Sequence, residues 1–352
     1  MTENIPLSRP VPPEFDCDEP QATINQKTEP GNSAEYDEAM EEILHWFHKQ
    51  SRCQERFGQV FRKAIDEVLD GQRTGRFDLY SKKRGSEVEK TEKTYLGTKI
   101  EIVTRAEFNI QHGDSLDYEI SGHQVDAKFT IGNTWTIPKE AMGQVCLLMR
   151  ANDRQGTYQV GLLRITETTL NKGKNGDQKR SVSASARDKI RWIVKEGKLP
   201  KNLLLHLQKE SPEKVNKIFQ ASDKYRGGGN GGQLRVNELF RQATGLLVDR
   251  TTLITVATQH DGPKRARDAR KHLRREGIVV LGHMKPSPRI AKELRLPVPK
   301  NGFWVSAKLA LISGSDTRPS TIINGLRYGL WKEGDTSSDA PDIRESTQRA
   351  VL

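Results

Sequence analysis

The order of elements along the sequence predicts an α/β (α+β) fold in two domains. A mixed sheet with flanking helices comes first, and a winged helix-turn-helix follows. Three observations carry this expectation. Helically spaced apolar residues over 36–70 give way to short β-like runs between 100 and 165. Ser121-Gly122 sits between two of those runs and forms a two-residue hairpin turn. After Gly197-Lys198-Leu199-Pro200, capped helical segments precede two more β-runs.

Residues 1–34 are rich in Pro, Glu, Asp, Asn and Gln and read as a disordered tail. From Tyr36 to about Asp70, Met40, Ile43, Leu44, Phe47, Phe57, Val60, Phe61, Ile65 and Leu69 recur at helical spacing, with Gly71 as the stop. Strands are expected at 100–103, 118–120, 125–129, 145–149 and 158–165, then a helix over 184–195. These elements make up a first domain, 35–195. A linker at 196–201 and a second domain over 202–340 follow, with a tail at 341–352. Arg226–Gly232 reads as a mobile loop inside the second domain.

In that domain Val236–Thr244 reads as a helix ending at Gly245. Asp249 or Thr251 caps a second helix reaching about Gln259. Asp261 caps a third, with Pro263 in its first turn and Gly277 past its end. Ile278–Leu281 and Phe303–Val305 read as two strands joined by a Lys/Pro-rich loop. On the third helix Ala266, Ala269 and Leu273 share one side. Lys264, Arg267, Lys271, Arg274 and Arg275 lie opposite. With Arg265 and Arg270 on the same helix, they are the candidate DNA contacts, carried by a helix that enters the major groove.

The hairpin segment Asp117-Tyr118-Glu119-Ile120-Ser121-Gly122-His123-Gln124-Val125-Asp126-Ala127-Lys128 holds the candidate chemistry. Folded about Ser121-Gly122, it sets Asp117 opposite Asp126, where Cβ atoms lie roughly 4.5–5.5 Å apart. Alternation puts Lys128 on the same face and sends Val125, Ala127 and Phe129 toward a core. Two carboxylates this close repel unless a cation lies between them. With an ammonium beside them, they read as a divalent-metal site with a lysine near the reacting water.

The chain has 352 residues, with 57 Lys and Arg against 46 Asp and Glu, for a formal net charge of +11. The pI near 9.5 favours a polyanionic partner, nucleic acid before acidic membrane. Mean hydropathy of -0.72 and the lack of a long apolar stretch argue against a membrane span. Cys17, Cys53 and Cys146 are too scattered for a disulfide framework or a structural zinc, so a reduced cytoplasmic protein is expected. No Gly-rich Gly-Lys-Ser/Thr loop suggests an ATP site. Val68-Leu69-Asp70-Gly71-Gln72-Arg73 fits the ligase motif Lys-x-Asp-Gly-x-Arg except at Val68, which cannot attack a phosphate, so ligase chemistry is not expected.

Six stretches resemble the NaeI family of type II restriction endonucleases: Asp70–Arg76, Thr91–Thr98, Asp117–Thr130, Asn202–His206, Val236–Arg241 and Glu276–His283. Leu296–Pro299 also matches, so the resemblance runs from about 55 to about 310. It implies a restriction-endonuclease-like nuclease domain in which Asp117 and Asp126 bind Mg2+ and Lys128 is the catalytic lysine. It also implies a site role for Glu101, read here as an outward-facing strand residue between Ile100 and Ile102. Ala127 stands where the family would have cysteine. The resemblance further implies cleavage of double-stranded DNA at GCCGGC, a second DNA copy held by the other domain, and a homodimer matched to a palindromic target. Two rival readings are a non-catalytic DNA-binding regulator and a structure-selective nuclease of the same fold.

Overall fold

The computed structural model describes residues 37–80, 88–224, 231–259 and 261–343. The expected N-terminal tail and most of the 226–232 loop lie outside these residues. From Asp37 onward the chain forms one body containing separate sheets.

The helical stretch after Asp37 is two helices, α1 (Glu38–Lys49) and α2 (Cys53–Leu69). They break at Arg52, which takes a left-handed φ of 50°. Asp37 caps α1 by accepting the Met40 N–H at 3.1 Å. Asp70, not Gly71, supplies the left-handed residue that ends α2. Gly71 instead opens a short α3 (Gly71–Thr74) pressed against Thr255, where a Cβ would lie 2.2 Å from the threonine Oγ1.

Helix α4 (Lys90–Phe108) replaces the strand expected at 100–103. Ile100-Glu101-Ile102-Val103 has strand-like composition. Burial of Leu96, Ile100, Val103 and Phe108 nevertheless follows the helical period, and Ile102 is 46% exposed.

Next come β1 (Gln111–His112), β2 (Tyr118–Ile120), β3 (His123–Thr130), β4 (Thr136–Ile137), β5 (Val145–Asn152), β6 (Thr157–Arg164), β7 (Leu170–Lys174), β8 (Arg180–Val182) and β9 (Arg191–Lys198). Among the described residues one sheet runs β1-β2-β3-β5-β6-β9 and a smaller one β4-β8-β7. Only β3 and β5 pair in parallel within the larger sheet.

The helix expected over 184–195 is a 3-10 turn (Ser185–Lys189) followed by β9. Its Trp192-Ile193-Val194 finds a ladder on β6, with Trp192 opposite Gly161, whose missing side chain leaves room for the indole.

The larger sheet is covered on both faces. On one, Phe47, Phe57, Phe61 and Phe108 from the helices meet Tyr118, Val125, Leu147 and Tyr158. The Phe57 and Phe108 rings lie 4.5 Å apart. Burying each such side chain contributes about 1.5–3 kcal/mol. On the other face Trp135, Ile137, Leu170 and Val182 of the smaller sheet region cover Cys146, Leu148 and Leu163.

The chain continues through α5 (Leu203–Glu210), α6 (Pro212–Gln220), α7 (Gly232–Gln242), β10 (Leu247–Asp249), α8 (Arg250–Ala257), α9 (Gly262–Leu273), β11 (Ile278–Leu281), α10 (Ser287–Glu293), β12 (Phe303–Leu311), β13 (Ser320–Ile323) and β14 (Leu326–Leu330). Asp249 caps α8 through the Thr252 N–H at 2.8 Å. Gly245 and Gly277 take the left-handed backbone expected of helix stops. The Lys/Pro-rich loop contains α10, with Ile290 and Ala291 buried. Strand β12 pairs with β10, β11 and β14 along its length. Phe77, from the first half of the chain, stacks on Phe219 at 5.8 Å and joins the core of the second.

Candidate active site

The β2–β3 hairpin turns through Ser121 and Gly122 at φ 53° and 78°. Two successive positive φ values match the twist of antiparallel strands. The register pairs Ile120 with His123, Glu119 with Gln124 and Tyr118 with Val125. One residue further, Asp117 sends its carboxylate across the hairpin to accept the Ala127 N–H at 2.7 Å. Val125 and Ala127 are buried in the helix-covered core, and Phe129 packs against it. Ala127 therefore points away from the carboxylates, as expected.

On the opposite face the Lys128 ammonium donates to Asp126 Oδ1 at 2.7 Å and lies 3.9 Å from Asp117 Oδ2. It also donates to the Ala127 carbonyl at 3.0 Å. Asp126 is 7% exposed. Burial pushes its carboxyl above the ordinary value and the Asp117 charge adds to this, while Lys128 opposes both. Its second oxygen accepts the Cys146 thiol at 3.3 Å. Burial and the neighbouring carboxylate push that thiol up, so it stays protonated and donates. Cys146 is opposite Asp126 in the parallel β3–β5 register. Nothing in the local sequence signals this contact, because it depends on a pairing between distant strands.

Glu101 reaches the cluster from α4. Its carbonyl accepts the Tyr118 hydroxyl at 2.9 Å, next to Asp117. Burial, then the Asp117 charge, raises its carboxyl, and Lys128 pulls the other way. A helix presents Glu101 beside the hairpin, where alternation along a strand was expected.

Among the described residues no three His, Cys, Asp or Glu side chains converge closely enough to cage a metal ion alone. The nearby donors are carboxylate oxygens, which suit hard cations. Mg2+ usually takes one or two carboxylates and completes its shell with water and phosphate oxygens. The residues present therefore fit such an ion.

The cationic helix behaves differently. Ala266, Ala269 and Leu273 are fully buried, as expected. Helix α9 ends at Leu273, so Arg274 and Arg275, expected on it, lie in the 3-10 turn that follows. The side chains of Lys264, Arg267, Lys271 and Arg275 are exposed, with no hydrogen-bond or ion-pair partner among the described residues. Three expected contacts are engaged within the protein. Arg265 donates to Asp261 at 3.3 Å, Arg270 to the Val280 carbonyl at 2.9 Å and Arg274 to the Ala340 carbonyl at 3.1 Å.

The chain matches the family model described as restriction endonuclease NaeI over residues 42–339. It is 37% identical over 315 residues to the type II restriction enzyme NaeI of Lentzea aerocolonigenes, covering 88% of this chain and 96% of that protein. These similarities define a site-specific deoxyribonuclease, a DNA-binding hydrolase of the type II restriction class. The chain belongs to the NaeI restriction endonuclease family.

Proposed function

We propose that Asp117, Asp126, Glu101 and Lys128 form the catalytic site of an Mg2+-dependent endonuclease that makes double-strand breaks at a GC-rich palindrome resembling GCCGGC. The observation that carries this reading is one lysine ammonium bonded to Asp126 and close to Asp117 on the face of a single hairpin. Asp117 and Asp126 would hold the ion, with Glu101 beside them. When bound, Mg2+ neutralises charge on the scissile phosphate and stabilises the leaving 3′ oxygen.

Lys128 orients the attacking water and offsets negative charge as it develops. Ala127 N–H and the Cys146 thiol fix the rotamers of Asp117 and Asp126, so their oxygens face the reaction without reorganising. Burial of Asp126 strengthens its electrostatic interactions by excluding water.

The second domain, from about residue 202, is read as a winged helix holding a second DNA copy as effector. Support comes from the chain order α7, β10, α8, α9, β11, β12 and from β12 pairing with both β10 and β11. Lys264, Arg267, Lys271 and Arg275 supply charge that has no side-chain partner among the described residues. The enzyme is proposed to act as a cytoplasmic homodimer whose two-fold axis matches the palindrome. None of the described helices is long and apolar enough to cross a membrane.

Plasmid DNA incubated with the protein, with and without Mg2+, tests the reading. Discrete double-strand products at one sequence, dependent on the metal and lost in Asp126→Ala, are expected. Mg2+-independent cleavage, or an unaltered rate in that variant, would remove these residues from the chemistry.

A further inference from the structure

The β7–β8 hairpin is a projecting arm. At its base Leu170 and Val182 are buried in the core that covers the second face of the larger sheet. Beyond that base every residue from Asn171 to Lys179 is exposed. Added Cβ atoms at Gly173 and Gly176 would meet nothing within 4 Å.

Exposure has not cost the arm its order. Asn175 Oδ1 accepts the backbone N–H groups of Asp177 at 3.0 Å and Lys179 at 2.9 Å, closing the tip. The Arg180 guanidinium binds the carbonyls of Asn171 at 2.7 Å and Leu170 at 3.3 Å, joining the strands. Such bonds contribute about 1 kcal/mol each, with no buried apolar surface to add to them.

The charges work against the hairpin's own stability. Lys174 is the register partner of Arg180, a like-charge pair that disfavours pairing. Arg180 is balanced by Glu167 at 2.6 Å. Asp177, the one carboxylate of the segment, contacts Lys90 at 3.4 Å, at the start of the helix that carries Glu101. Lys172, Lys174 and Lys179 have no acidic partner among the described residues. A polyanion lying along the arm would supply the missing countercharge.

The arm also rises on the catalytic side. Its base packs with Cys146 and Leu148, the register partners of Asp126 and Lys128. At about 3.3 Å per residue the strand from Leu170 to the tip spans roughly 17 Å, enough to cross a duplex groove about 12 Å wide.

We propose that this hairpin grips the phosphate backbone of the duplex presented to the catalytic cluster, through Lys172, Lys174 and Lys179. The proposal rests on the reading of the chain as an Mg2+-dependent nuclease.

The test uses the full chain and its K172A/K174A/K179A and K172R/K174R/K179R variants. Binding to two short duplexes, one carrying GCCGGC and one lacking it, is measured without metal between about 50 and 200 mM salt. In the alanine variant the slope of log affinity against log salt should fall by about one per lost contact, about three in all, with similar weakening on both duplexes. Its KM for cleavage should rise while kcat at saturating DNA and low salt stays within about two-fold, and the arginine variant should restore both slope and KM.

A wild-type slope and KM in the alanine variant would overturn the arm. So would weakening confined to the GCCGGC duplex, or a loss that arginine fails to restore. Failure of the wild-type chain to cut any plasmid with Mg2+ would sink the Mg2+-dependent reading, and the salt slopes would still report on the arm.

Discussion

The β2–β3 hairpin and helix α9 both present clustered charge, and the structure treats the two clusters in opposite ways. Around Asp126 each carboxylate oxygen has a donor, from Lys128 and Cys146, and the residue is buried. On α9, Lys264, Arg267 and Lys271 stand in solvent with no partner among the described residues. Chemistry requires charges whose geometry is set in advance, in a poorly screened environment. Docking on a polyanion requires charges left free to exchange counterions for phosphates. A cluster's state of partnership therefore separates the two proposed roles more clearly than its composition does.

The largest effect is expected at the proposed catalytic cluster. Asp126→Ala and Lys128→Ala should each lower the single-turnover cleavage rate by roughly 10²–10⁴-fold. Metal-free affinity for duplex should change little. Gel-shift and rapid-quench measurements on the same preparations check this, and a parallel loss of binding would mean that the cluster also docks DNA.

The second test is charge reversal at Arg267 and Lys271. If α9 holds an effector duplex, the double variant should cut a two-site plasmid more slowly by roughly 5–150-fold, the usual span of coupling between sites. Short cognate duplex added in trans should stimulate the wild type and not the variant. Equal rates on one-site and two-site plasmids, unaffected by duplex or substitution, would leave a single-site nuclease.

A smaller effect is expected at Cys146. Removing its thiol in Cys146→Ala takes one weak donor from Asp126 and leaves a small void. The cleavage rate should fall by less than about tenfold, because a single hydrogen bond contributes about 0.5–1.5 kcal/mol. Cys146→Ser keeps a hydroxyl donor and should recover most of the rate, so equal damage in the two variants would mean that packing matters more than the bond to Asp126.

Asp66 lies between the two regimes and gives the smallest effect. It pairs with Arg62 at 2.9 Å, but Arg62 also serves Asp153 at 2.6 Å. Burial, with added repulsion from Asp249 and Asp153, raises the Asp66 carboxyl from 3.8 to about 6. The folded state therefore holds this proton more tightly than the unfolded state does. Its stabilising contribution is complete below about pH 4 and is lost as pH rises through about 6. Thermal unfolding should show the wild type losing more stability than Asp66→Asn between pH 4 and 8. Parallel pH profiles would show that Arg62 compensates the charge fully.

What could be read from the sequence was local. Ser121-Gly122 fixes a register in which the partners lie within a dozen residues, so the proximity of Asp117, Asp126 and Lys128 follows from turn geometry and a period of two. The apolar face of α9 follows from a period of 3.6, and Asp249 and Gly277 mark helix boundaries through local backbone chemistry. Composition misled where distant partners decided the outcome. Ile100–Val103 has β-branched residues, yet packing of α4 against α2 and β3 made it helical. Residues 191–198 became a strand because β6 offered an unpaired edge, which outweighs helix propensity. The approach of Glu101 from a helix, the donation by Cys146, and the division of the α9 cations into engaged and free groups all arise from contacts between segments far apart in sequence. Short-range periodicity carries no information about those contacts, so only the tertiary structure could decide them.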